Sequence, residues 1–160
     1  MNNKYNNCNY NIIRSNGTEL IQSDKLPQDE VFHGFSTRNG GVSREPYASL
    51  NLGLSRDEPK ENILRNFRIL CDAFGLDFEK LVIVNHEHGS NVIRVDSSHC
   101  GRGLYREPLP FCDGLITDDQ NVVLVTAHAD CGAVFLYDKK RRSIGLAHAC
   151  LLYTSPSPRD

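Results

Sequence analysis

Short apolar runs separated by polar turns dominate this chain, with one stretch of helical periodicity near its middle. Residues 10–15 (Y-N-I-I-R-S) and 18–22 (T-E-L-I-Q) flank Asn16-Gly17. That dipeptide is the one most favoured in a type I′ hairpin turn, because both central residues must take positive φ. Two early strands are therefore expected. The segment V-F-H-G-F-S-T-R-N-G-G-V-S then reads as a short strand running into a Gly-rich loop. Further on, Ile63, Leu64, Phe67, Leu70, Cys71 and Phe74 recur at 3.6-residue spacing and predict a helix over 59–74. Pro59 suits its first turn, Asp57 or Glu58 its cap and Gly75 its end.

Beyond the helix, Leu81–Val84 and Val92–Val95 read as strands joined by the N-H-E-H-G-S turn. Residues 97–110 combine charge with Gly and Pro and read as a loop. Val122–Ala127, Ala133–Tyr137 and Ile144–His148 are expected strands, with D-K-K-R-R a solvated turn. One strong helix among many short strands predicts an α+β fold, a layered α/β sandwich with mixed β-sheets.

Composition narrows the setting. A chain of 160 residues can bury one sizeable core and is most simply a single domain. A formal charge of −2 gives no basic excess for nucleic acid, and no apolar run is long enough to cross a bilayer. The first ten residues lack the apolar core of a secretory signal. The six cysteines (8, 71, 100, 112, 131 and 150) form no C-x-x-C pair, which predicts reduced thiols in a cytoplasmic protein. Cys71 fits the apolar helix face, whereas Cys8, Cys100 and Cys112 have no metal-like spacing. The expected organisation is a disordered Asn-rich stretch over 1–9, a domain over 10–149, and an unrelated Ser/Pro-rich tail over 150–160.

The candidate chemistry is a scattered trio: His88 in N-H-E-H-G, Cys131 in H-A-D-C and His148 in G-L-A-H-A. Each sits at or near the end of an expected strand. Two imidazoles and a thiolate make a three-ligand site with a fourth position open, as in a catalytic zinc centre. His86 and His88, two residues apart on an extended segment, would share a face. Asp130 is a candidate for holding an imidazole by its other ring nitrogen.

The motifs H-G-F-S-T-R-N-G-G-V-S, L-N-L-G, E-H-G-S-N-V, C-D-G-L-I-T-D, A-D-C and I-G-L-A-H-A occur in one order over residues 10–149. Together they resemble the bacterial laccase-domain family, once described as multicopper polyphenol oxidases and now regarded as zinc-dependent enzymes of purine nucleosides. The resemblance implies phosphorolysis of adenosine, inosine, guanosine and methylthioadenosine, with adenosine deaminase activity in the same site. It also implies zinc held by His88, Cys131 and His148. Two positions depart from the family pattern: His86 stands where the family has Gln, and Cys150 where H-A-G-W-R-G has its first Gly. The expectation is a C-terminally truncated copy whose own activity is in doubt.

Deamination needs an activated water at adenosine C6 and a carboxylate to carry the proton, with Asp130 and Glu87 both candidates. Phosphorolysis needs a dianion under the ribose C1′. Arg38 in S-T-R-N-G-G suits it, because guanidinium binds phosphate bidentately and adjacent glycines let N–H groups turn inward. Ser36, His33 and Asn51 lie in matching motifs and are candidates for the same cleft. Two other readings stand beside the zinc enzyme. One is a copper oxidase, for which a blue-copper centre would use the same His₂Cys set. The other is a Cys–His hydrolase with Cys131 as nucleophile and His148 as base.

Overall fold

The computed structural model describes residues 9–54 and 57–149. The expectations for residues 1–8 and for the tail from 150 onward lie outside the described residues. The chain divides into two compact units, residues 1–75 and 76–160, where its length alone suggested one.

In the first unit, β1 (Tyr10–Ser15), β2 (Thr18–Ser23) and β3 (Phe35–Ser36) form an antiparallel sheet in that order. Asn16 (φ 48°) and Gly17 (φ 80°) both take positive φ at the β1–β2 turn, as the dipeptide predicts. Burial alternates along β2, so Thr18, Leu20 and Gln22 face inward. The single α-helix among the described residues, α1 (Lys60–Phe74), buries Ile63, Phe67 and Cys71 at the expected spacing. It also buries Asn66, which no apolar pattern marks.

The helix start differs from expectation. Pro59 occupies the cap position and no side chain caps the helix. Glu58 is engaged elsewhere, its carboxylate accepting from the amides of Asn51 (2.5 Å) and Asn62 (3.3 Å). At the other end Gly75 is left-handed (φ 67°) and its N–H returns to the Cys71 carbonyl, a closure glycine adopts without a Cβ penalty.

The second unit carries two sheets. In one, β4 (Leu81–Ile83) runs parallel to β7 (Val123–Val125). In the other, β5 (Val92–Arg94), β6 (Gly114–Thr117), β9 (Ser143–Ala149) and β8 (Gly132–Asp138) stand side by side in that order. The β5–β6 pair is parallel and the other two are antiparallel, so the sheet is mixed. Thus β4 and β5 are not partners across the N-H-E-H-G-S segment. All three residues of β4 are buried, as befits a strand covered on both faces beside a parallel neighbour. The core of this unit gathers Val82, Val84, Val95, Leu109, Cys112, Leu115 and Val122.

Residues 97–110 are ordered by backbone bonds to β4: the Gly101 N–H donates to Leu81 (2.8 Å), and the Ile83 N–H to Arg102 (3.1 Å). Among the described residues no helix is long and apolar enough to cross a membrane.

Candidate metal centre

Strand register brings the distant motifs together. The β6–β9 ladder pairs Gly114 with Ala147, and one step further Asp113 faces His148, whose N–H donates to the Asp113 carbonyl at 2.8 Å. On the other side of β9, His148 faces Ala133. Two residues before Ala133, in the bend that leads into β8, stands Cys131. The third candidate ligand comes from the segment after β4. This segment is not extended: His88 takes a left-handed conformation (φ 62°), uncommon for a residue with a side chain. His86 and His88 therefore do not share a strand face as their spacing suggested.

The donor atoms of His88, Cys131 and His148 all lie within 4.8 Å of one another. The rings of His88 and His148 meet edge-on, with centroids 5.0 Å apart and planes at 81°. Two imidazoles on one tetrahedral ion hold their centroids about 5 Å apart, given metal–nitrogen bonds of about 2.1 Å. His148 is buried, Cys131 half-buried and His88 exposed, so the site is anchored in the sheet and open on one side. The donor set and its spacing fit a borderline metal ion. Cys131 is disulfide-bonded in this structure, contrary to the expectation of reduced thiols throughout. Metal ligation by this residue would require its thiolate. Cys71, Cys100 and Cys112 are reduced thiols.

The carboxylate that takes one of these imidazoles is Asp113. Its Oδ1 lies 2.9 Å from Nδ1 of His148, and both side chains are 4% exposed. It also accepts the backbone N–H groups of Glu87 (3.3 Å), His88 (3.1 Å) and Gly89 (2.7 Å). Burial alone would raise this carboxyl's pKa. The Gly89 N–H, the His148 ring and the other two N–H groups outweigh it and hold the pKa below the usual range. The sequence reading missed this residue, although the C-D-G-L-I-T-D motif contained it. Asp130, expected in such a role, is exposed and its Oδ1 lies 3.9 Å from Cys131 Sγ. Glu87, the alternative carboxylate, accepts from the Asn91 amide at 2.7 Å.

Two further imidazoles flank the trio. His86 stacks on His148 at 4.2 Å with planes 25° apart. Among the described residues its buried Nε2 has no hydrogen-bond partner. Burial first, then the neighbouring His148, push its pKa down to about 4, so it stays neutral at physiological pH. His128 lies 5.3 Å from His148, ring centre to ring centre, and its Nε2 is 2.6 Å from Thr126 Oγ1.

The remaining candidates belong to the first unit, where each has a local partner. Arg38 donates from Nε (2.8 Å) and Nη2 to the Ala48 carbonyl. His33 is buried, and its Nε2 accepts from the Ser23 N–H at 3.0 Å. Asn51 accepts from the Gly53 N–H at 3.0 Å while its amide donates to Glu58. Ser36 sits in β3 opposite Leu20.

Residues 32–150 match the family described as multi-copper polyphenol oxidoreductase laccase. The chain belongs to that laccase family. Among curated relatives, purine nucleoside phosphorylase YlmD of Bacillus subtilis is 36% identical over 122 residues, covering 75% of this chain and 44% of the relative. Mouse purine nucleoside phosphorylase LACC1 is 32% identical over 136 residues, covering 83% of this chain and 30% of that protein. The crystal structure of YlmD from Geobacillus stearothermophilus superposes with a TM-score of 0.82 at 28% identity, covering 89% of this chain and 52% of that one. The mixed α+β architecture is thus the fold of this laccase family. The chain spans about half the length or less of the curated relatives it matches.

Proposed function

We propose that this chain carries the metal centre of a zinc-dependent purine nucleoside phosphorylase. The convergence of the His88, Cys131 and His148 donors within 4.8 Å, from three separate elements, is the observation that carries this reading. The bacterial and mammalian relatives YlmD and LACC1, which are named purine nucleoside phosphorylases, support the reaction class. Three protein ligands with one open side suit a catalytic centre, since structural zinc is closed by four. A zinc ion held there supplies Lewis acidity toward an oxygen of substrate or water.

The chain's own residues supply the rest. In phosphorolysis an oxygen of inorganic phosphate bonds to the ribose C1′ as the C1′–N9 bond breaks. The purine leaves with the electron pair and takes the proton that monohydrogen phosphate gives up, so ribose 1-phosphate remains. We assign phosphate recognition to Arg38, helped by Ser36 and Asn51, with His33 as a supporting residue. Arg38 would contribute the guanidinium edge not turned to Ala48. Adenosine deaminase activity belongs to the same proposal, with Asp130 or Glu87 as proton carrier.

The experiment is turnover by the reduced, zinc-loaded chain, with Bacillus subtilis YlmD run in parallel. Adenosine and phosphate should yield adenine and ribose 1-phosphate, and adenosine without phosphate should yield inosine. A chain that binds one zinc and releases neither product would overturn the enzymatic reading.

A further inference from the structure

We propose that Asp113 is the positioning residue of the metal centre, setting two of its three ligands through one carboxylate. The proposal rests on the metal reading above. Its first support is the contact with His148. A carboxylate only accepts, so the imidazole nitrogen 2.9 Å from Asp113 Oδ1 carries the proton. Nδ1 is thereby the N–H, and Nε2 keeps the lone pair that a metal needs. The alignment follows from the β6–β9 register, which places the two residues opposite each other and adds the backbone bond at 2.8 Å.

The second support is independent of His148. The N–H groups of Glu87, His88 and Gly89 all converge on the same carboxylate, at 3.3, 3.1 and 2.7 Å. Successive N–H groups curling round one anion form a nest, and here the anion is a side chain of the protein itself. His88 holds a left-handed backbone that a residue with a Cβ enters at a cost, and such a conformation persists only where surrounding bonds over-determine it. These three bonds do so, and they fix the direction in which the His88 ring leaves the chain.

The count explains why the residue is aspartate. Four donors meet it: three backbone N–H groups and one ring N–H. A carboxylate offers about four acceptor sites, whereas a carboxamide oxygen offers two and its NH₂ would confront donors. Asp113→Asn therefore removes part of the His88 nest or the His148 contact while changing side-chain volume little.

The test uses the full chain, reduced and stripped of metal, titrated with zinc chloride against a chromophoric chelator. Asp113→Asn should weaken zinc binding by about 10–100-fold. Nitrogen-15 NMR of the wild-type imidazoles gives a second readout that does not depend on the variant folding. Metal-free His148 should be the Nδ1–H tautomer, and zinc should shift its Nε2. Equal zinc affinity in wild type and Asp113→Asn, or an Nε2–H tautomer at His148, would overturn the positioning role. A wild-type chain that binds no zinc while His148 is Nδ1–H would instead overturn the metal reading on which the proposal rests.

Discussion

The side-chain amide of Asn66, fully buried in α1, holds the Gly-rich loop from 24 residues away: its Oδ1 accepts the Val42 N–H at 2.8 Å. Its Nδ2 donates to Ser43 Oγ and to the Asn51 carbonyl, each at 2.8 Å. One residue thus joins the helix to R-N-G-G-V-S and to L-N-L-G. Asn66→Ala would leave those groups without partners in a buried setting, where each stranded group costs about 1–3 kcal/mol. Asn66→Ala is expected to lose about 2–4 kcal/mol in urea unfolding, with Asn66→Asp intermediate because it keeps the acceptor for Val42.

Gly41 sits in the same knot for a steric reason. A Cβ there would collide with the Ser49 carbonyl oxygen and come within 2.5 Å of Leu50 Cα and 2.6 Å of Asn66 Oδ1. Two of those obstacles are backbone, so neither can swing aside. Gly41→Ala should destabilise by about 3 kcal/mol or more, at the upper end of overpacking. Gly75→Ala is the contrasting case. Space there is open, and only the positive φ penalises a side chain, by about 1 kcal/mol. Thermal unfolding of the two variants should show a clearly larger loss for Gly41→Ala.

Gly75 marks where the sequence was legible, and Gly41 where it was not. The hairpin turn, the helix stripe, the C-terminal Gly75 and most strands followed from local pattern, because φ preference and burial periodicity are written into neighbouring residues. Asn66 was not legible, since a buried amide breaks the apolar stripe and its partners lie 15–24 residues away. The same holds for the site. His88, Cys131 and His148 could be singled out as metal-ligand types in motif positions. Asp113 could not be linked to His148 without the β6–β9 register, 35 residues apart along the chain. β6 itself went unrecognised, as four residues beginning with Gly give little alternation to read. The left-handed turn at His88 was hidden because its cause, the Asp113 carboxylate 25 residues away, is not local.

Tyr105 gives the protein an alkaline sensitivity. Its hydroxyl donates to the Glu79 carbonyl at 3.2 Å, and burial first, then that bond, push its pKa up to about 12. In the unfolded chain the same phenol ionises near 10. The folded state therefore binds the proton more tightly, and its stabilisation is complete below about pH 10 and lost as the pH rises toward 12. Tyr105→Phe cannot ionise, so its stability should fall less steeply across that window than the wild type's. Urea midpoints at pH 8 and 10.5 test this: parallel declines in the two proteins would contradict it.

Redox state should decide whether the metal centre exists at all. The His88 and His148 imidazoles converge with the Cys131 sulfur, yet that sulfur is disulfide-bonded here. A disulfide sulfur carries no thiolate charge, and two imidazoles alone leave the ion half-coordinated. The oxidised chain should hold zinc weakly, and the reduced chain should take up one equivalent. Cobalt substitution separates thiolate ligation from adventitious binding. The reduced protein should show a sulfur-to-cobalt charge-transfer band and the d–d intensity of a tetrahedral site. Cys131→Ser should abolish the charge-transfer band and lower zinc affinity by at least 100-fold, whether or not reductant is present. His148→Gln should weaken binding while keeping the band, because the thiolate remains. Zinc uptake that is unchanged in Cys131→Ser, or equal in oxidised and reduced wild type, would place the ion elsewhere on the molecule.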